Sequence, residues 1–314
     1  MELWNSTLGS DFILVGILND SGSPKLLCAT IAVLYMLALT SNGLLLLVIT
    51  MHAQLHVPMY LLLRLLSLMD LMFASVVTPK TLVDYLHREK TISFGGWALQ
   101  MLAVLTLGGA EDLLLAFMAY DRYVAICHPL NYMVLLRPRI RWPMLATSWI
   151  LEVLNAVIHT SYTMHFPFCM SQEIRHILCE IPPLLKLVCV DTSRYELMVY
   201  VMGVTFLMPT FVAILASYTF VLVAVLHVSP GKGRQKSLVT CSSHLTVVGM
   251  YYGAAMFIYV QPSSYHRPQQ DNILSVFYTI ITPVLNPLIY SLRNKEVMEA
   301  FGRVLGRLTS VQRL

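Results

Sequence analysis

The chain has 314 residues, 57% of them hydrophobic and only 12% charged, with a mean hydropathy of +0.67 and a net charge of +4. Soluble domains carry about 25% charged residues; a soluble core has no room for this much apolar surface, whereas a lipid bilayer solvates it directly. The small charge with no polybasic run speaks against nucleic-acid binding, and six cysteines without a CxxC pair argue against a zinc or redox centre.

Residues 1–25 are polar and mildly acidic with no basic leader, so they are expected to lie outside the cell, with the first span acting as its own insertion signal. Asn5-Ser6-Thr7 and Asn19-Asp20-Ser21 are glycosylation acceptors, and Asn5 is the better one because it lies farther from the membrane. Seven stretches then reach the roughly 20 apolar residues that a spanning helix needs. They cover 26–51, 58–86, 97–127, 141–162, 195–226, 237–260 and 271–292. The expected fold is therefore an all-α bundle of seven membrane helices over 26–292, with no internal repeat. The connections are short except for 163–194, which holds Cys169, Cys179 and Cys189. In the segment 293–314, Val297, Phe301, Val304, Leu305 and Leu308 share one helical face opposite Glu299, Arg303 and Arg307, the pattern of an amphipathic helix on membrane lipid.

With the N-terminus outside, 13 of the 21 basic residues fall on the inner side, among them Arg137, Arg139, Arg141, Lys232, Arg234 and Lys236. The outer segments hold 10 of the 17 acidic residues. Arg64 stands apart, inside the second span among leucines.

Ionisable side chains within a span are costly and mark function. Asp70 in the second span and Glu111 in the third sit at comparable depth. Two facing carboxylates repel unless one is protonated or a cation such as sodium lies between them; two independently hydrogen-bonded acids are the alternative. Asp112 follows Glu111 directly and points about 100° away. Asp121-Arg122-Tyr123 ends the third span, where an arginine can pair with Asp121 in one state and leave it in another, the kind of two-state element that signalling needs.

Several motifs run along the chain in order: Pro58-Met59-Tyr60, Leu66-Ser67-Leu68-Met69-Asp70, Met118-Ala119-Tyr120-Asp121-Arg122-Tyr123-Val124-Ala125-Ile126-Cys127-His128-Pro129-Leu130, Ser217-Tyr218, Thr240-Cys241-Ser242-Ser243-His244-Leu245 and Pro283-Val284-Leu285-Asn286-Pro287-Leu288-Ile289-Tyr290. Together they resemble odorant receptors, rhodopsin-like G-protein-coupled receptors, of the tetrapod (class II) type, over nearly the whole chain. The resemblance implies a plasma-membrane receptor, not an enzyme, that binds a small, mostly apolar volatile and activates a stimulatory olfactory G protein, raising cyclic AMP. It implies a coupling switch of Asp121, Arg122, Tyr123, Tyr218, His244, Asn286, Pro287 and Tyr290, with Asn286-Pro287 as a hinge. It also implies a ligand cavity lined by Val104, Leu105, Gly108, Gly109, Met202, Phe206, Tyr252, Ala255, Tyr259, Val276 and Thr279, mostly apolar with a few hydroxyls. Gly108 and Gly109 suit either a ligand cavity or close helix packing.

The chain departs from the family at Trp97, where the family has a cysteine bonded to the counterpart of Cys179. Cys179 is then left without its partner, while Cys169 and Cys189 match the family's second loop disulfide. The expected consequence is a looser roof over the cavity and poorer export than with cysteine at position 97. A channel or transporter would need paired repeats or a polar stripe along several helices, and an intramembrane enzyme would need a cluster of His, Asp or Glu; beyond Asp70 and Glu111 no such cluster is expected.

Overall fold

Seven long helices make up most of this computed structural model, which describes residues 12–14, 23–52, 55, 57–87, 91–168, 173–174, 176–177, 180–227, 231–260, 267–293 and 296–303. The first six run Pro24–Met51, Pro58–His87, Phe94–Cys127, Pro138–Met164, Ser193–His227 and Lys232–Tyr259. The seventh is built in three consecutive pieces: an α-helix Pro268–Val276, a π turn Phe277–Ile281 and an α-helix Thr282–Arg293. Each sequence-predicted span lies on one of these helices. The third, fourth, sixth and seventh begin three to five residues earlier than the apolar stretches, because hydropathy discounts the polar ends of a helix. Ser93 starts the third by accepting a hydrogen bond from the Gly96 amide at 3.2 Å, and the sixth starts among basic residues at Lys232.

The third helix is the axis of the bundle, packing on the second, fourth, fifth and sixth, while the first packs on the second and seventh. Large apolar side chains such as Leu26, Val212 and Phe220 remain exposed on the outer faces, where lipid rather than water surrounds them. Arg64 also faces outward. Asn42, fully buried, donates to the Pro283 carbonyl at 2.7 Å and joins the first helix to the seventh.

The two ends of the bundle differ. At the end holding Arg122, the third helix is followed by a 3-10 turn Pro129–Asn131 and a single turn Tyr132–Leu135. Beyond the seventh, residues 296–303 are helical; Val297 and Ala300 are buried and Phe301 packs on the core. Tyr60 donates to Glu296 at 2.7 Å, fastening this helix to the foot of the second. Val304, Leu305 and Leu308 lie outside the described residues.

The opposite end is roofed. A three-stranded sheet departs from the all-helical expectation: β1 (Phe12–Leu14) lies between β2 (Thr91–Ile92), antiparallel to it, and β3 (Glu173–Ile174), parallel to it. Phe12 faces Ile92 and Ile13 faces Glu173. A short helix, Ile181–Leu185, continues the roof. Trp97 is 0% exposed and packs edge-on to Phe94 and Phe168, in a cluster with Ile92, Met101, Ile174, Ile181, Leu184 and Tyr195. At the position where a looser roof is expected, the indole is fully enclosed. Where the family has a covalent link, an indole fills the same junction with apolar contact. Cys189 is disulfide-bonded. Cys169 and Cys179 lie outside the described residues, as do Asn5 and Asn19, and with them the pairing and glycosylation expectations. Cys28, Cys127 and Cys241 are free thiols.

Candidate functional site

Between the third, fourth, fifth and sixth helices, toward the roof, lies a cavity of about 110 Å³, somewhat smaller than the roughly 150 Å³ cavity that admits benzene elsewhere. Of the eleven residues expected to line it, Val104, Leu105, Gly108, Gly109, Met202, Phe206, Ala255 and Tyr259 do so. Tyr252, Val276 and Thr279 do not. Tyr252 is turned to the interface with the fifth helix, where it packs on Phe211, and its neighbour Tyr251 faces the cavity instead, donating to the Gly108 carbonyl at 2.7 Å. One residue along a helix is about 100° of rotation, enough to exchange the two rings. Val276 packs among the apolar side chains of the first, second and seventh helices, and Thr279 is buried with its hydroxyl on the Ser275 carbonyl.

The fourth helix supplies a wall that the sequence reading missed: Glu152, Asn155 and His159, spaced i, i+3, i+7 on one face. That polar face was the available signal. Glu152 and His159 are both 4% exposed. His159 Nδ1 is 3.1 Å from the Tyr195 hydroxyl. Asp112 points toward the fifth helix and accepts from Thr210 at 3.1 Å. The lining is mostly apolar; what Glu152 corrects is the expectation that Asp70 and Glu111 are the paired intramembrane acids, since it adds a buried acid on the fourth helix.

The two glycines divide the roles left open for them. A Cβ on Gly109 would run into the Glu152 carboxylate, so this glycine makes room for that side chain. A Cβ on Gly108 would meet nothing within 4 Å, so this glycine leaves open space.

Deeper in the bundle, Asn286 donates to both oxygens of Asp70, at 3.1 and 3.2 Å. Glu111 is close enough to Asp70 to interact with it electrostatically, and its Oε1 is buried without a hydrogen-bond partner. The carboxamide oxygen of Asn286 is likewise unpartnered. Among the described residues no group of three His, Cys, Asp or Glu side chains comes together.

At the Arg122 end, the structure brings most of the expected switch residues together. Arg122, Asp121, His244 and Tyr290 line one small cavity with Met59, Leu62, Leu63 and Met118. Arg122 contacts the Met59 sulfur, while Asp121 accepts the Tyr132 hydroxyl at 2.9 Å, so Tyr132 rather than Arg122 is hydrogen-bonded to this carboxylate. Burial first, and then the Asp121 charge, raise the Tyr132 phenol above its ordinary value and keep it a neutral donor. Tyr218 lies 2.6 Å from His244 Nδ1, across the fifth and sixth helices. Tyr123 turns away to His128 Nε2 at 3.0 Å, and Pro287 sits within the seventh helix one residue after Asn286.

A seven-helix membrane bundle with a cavity toward one end and an arginine-centred polar junction at the other defines a G-protein-coupled receptor. Over residues 31–307 the chain matches the olfactory receptor family. It is 75% identical to human Olfactory receptor 2AG1 over 98% of this chain and 97% of that protein, and 73% identical to human Olfactory receptor 2AG2 over the same shares. To human Olfactory receptor 2T1 it is 50% identical over 100% of this chain and 85% of that protein. The chain belongs to the olfactory receptor family. It is an odorant receptor and a multi-pass membrane protein, not an enzyme.

Proposed function

We propose that this receptor sits in the plasma membrane with its N-terminus and roofed end outside, takes a small, largely apolar volatile into the cavity between the third and sixth helices, and activates a stimulatory olfactory G protein that raises cyclic AMP. The observation that carries this reading is the connection of the two sites through one element. Gly108 and Asp112 face the cavity and Arg122, on the same third helix, faces the polar junction, so a ligand that shifts this helix or its sixth-helix neighbour changes what Arg122 meets. The basic residues near the Arg122 end support placing that end inside, and helix 296–303, packed through Val297 and Ala300 on the bundle, lies at that same end.

A sodium ion held by Asp70 and Glu111, with the Asn286 carboxamide oxygen as a third donor, belongs to the same proposal. The unpartnered Glu111 Oε1 and Asn286 Oδ1 are hard oxygen donors of the type such a cation takes. Bound there, it would offset one of the two carboxylate charges and hold the second, third and seventh helices together.

The test is a cyclic-AMP reporter in cells co-expressing the olfactory G protein, screened with a panel of volatiles and with surface level measured in parallel. A saturable response to some member, lost in Arg122→Ala at unchanged surface level, is expected. Silence from a chain shown to be at the surface would reject the coupling assignment.

A further inference from the structure

The cavity wall holds more acceptors than the protein satisfies. Asp112, Glu152 and Asn155 all line it, and neither Lys nor Arg is among the lining residues. The donors nearby are spent inside the protein: Tyr251 on the Gly108 carbonyl, Thr210 on Asp112 and the Asn155 side-chain amide on Glu152. The one basic side chain in the wall, His159, is engaged with Tyr195. Asn155 Oδ1 is buried with no hydrogen-bond partner. Glu152 is nine-tenths buried, and its carboxylate lies over Gly109, where the missing side chain admits it.

Carboxyl groups in apolar surroundings are costly unless a cation joins them, and an orphan buried acceptor favours whatever brings it an N–H. A neutral hydrocarbon answers neither demand. A hydroxyl brings one donor and no charge. An ammonium group brings three donors and the missing positive charge. The remaining walls are apolar, with Val104, Leu105, Phe206 and Ala255, and the volume suits one ring or a short chain.

We infer that the cavity takes a small primary amine, its ammonium head held by Glu152 and Asp112 with an N–H to Asn155, and its hydrocarbon body against Val104, Phe206 and Ala255. The assignment rests on the proposed role of this cavity as the ligand site and names the ligand's head group.

The test uses the full-length receptor in nanodiscs, with thermal unfolding measured against benzylamine, benzyl alcohol and toluene. Benzylamine should stabilise saturably, with an apparent affinity about tenfold or more above the other two. Glu152→Gln, which keeps the shape and removes the charge, should weaken benzylamine about tenfold and leave toluene unchanged. Should that variant not fold, Asn155→Leu should weaken benzylamine and not toluene. Benzylamine binding no tighter than toluene, or equally tight when Glu152 is changed, overturns the amine assignment. Reporter cells separate the two claims. Activation by neutral volatiles with no amine response overturns the amine head and leaves the receptor reading. Amine stabilisation in nanodiscs without any cyclic-AMP response supports the site and overturns the coupling.

Discussion

Asn42 donates its side-chain amide to the carbonyl of Pro283, 2.7 Å away and 241 residues along the chain. That carbonyl is the one deprived of its helical partner by Pro287, which has no N–H to give four residues on. A buried orphan carbonyl is expensive, so the first helix supplies what the seventh lacks. The missing amide and its replacement are one unit.

Asn42→Leu should therefore lower stability by about 1–3 kcal/mol, read as a drop in the thermal midpoint of the solubilised receptor. In a Pro287→Ala background the restored amide can reach Pro283, and the same substitution should cost clearly less. Equal losses in the two backgrounds would show that Asn42 does not serve that carbonyl.

Gly109 and Gly108 are adjacent, yet substitution should separate them. Gly109→Ala drives a methyl into the Glu152 carboxylate and should destabilise by about 1–3 kcal/mol, with Glu152→Ala in the same chain recovering much of the loss. Gly108→Ala meets open space, should fold normally, and should reduce the response to bulky ligands by narrowing the cavity. Surface staining together with dose–response curves checks both. If the two single variants behave alike, the division of roles is wrong.

Trp97 fills the roof where the family relies on a covalent bond, and truncation should expose that dependence. Trp97→Ala should cost about 3–5 kcal/mol, seen as a large fall in surface level and thermal midpoint. Trp97→Phe, which keeps a ring between Phe94 and Phe168, should cost much less. Surface expression of the alanine variant at the parental level would contradict a structural role for the indole.

Glu180 links the roof to acidity. It is buried beside the roof helix, with His176 Nε2 at 4.0 Å from its Oε2 and Ser275 Oγ at 3.2 Å from the same nitrogen. Burial first, and the Asp271 charge second, push its carboxyl up to about 8 from an ordinary 4.5. The folded state therefore holds this proton more tightly than the unfolded chain. The stability it contributes is complete below about pH 4.5, is lost as pH rises toward about 8, and does not change above that. The thermal midpoint of the parent should fall over this window relative to Glu180→Gln. Parallel pH curves for the two would remove Glu180 as the titrating group.

The architecture was legible because lipid imposes a length and a polarity that can be counted, and each predicted span lies on a helix. Ends were less legible: the sixth helix begins at Lys232, among basic residues that hydropathy discounts. The third-, fifth- and most sixth-helix cavity positions emerged from the resemblance, while the fourth-helix wall did not, although Glu152, Asn155 and His159 mark a polar face in an otherwise apolar span. Tyr251 and Tyr252 are adjacent, and a one-residue phase error is enough to exchange them. The seventh helix defeated face counting for a different reason. The π turn at Phe277–Ile281 carries an extra residue, so a face followed upstream from Asn286 at 3.6 residues per turn arrives rotated, and Val276 and Thr279 fall elsewhere. The partner of Asn42 depends on a contact 241 residues away, and that of Asp121 on how the chain turns after the third helix, and no local periodicity encodes either.

The small sheet also governs how this receptor can be handled. Because β1 is the middle strand, residues 12–14 join the strand at Thr91–Ile92 on one side to the strand at Glu173–Ile174 on the other. An epitope tag or leader joined ahead of residue 12 leaves that seam intact. A truncation past residue 14 strips both neighbours of their hydrogen-bonding partner at once and leaves two bare strand edges above the cavity. Expression designs that trim the N-terminus to its first membrane helix would thus unfasten the lid while appearing to remove only a tail.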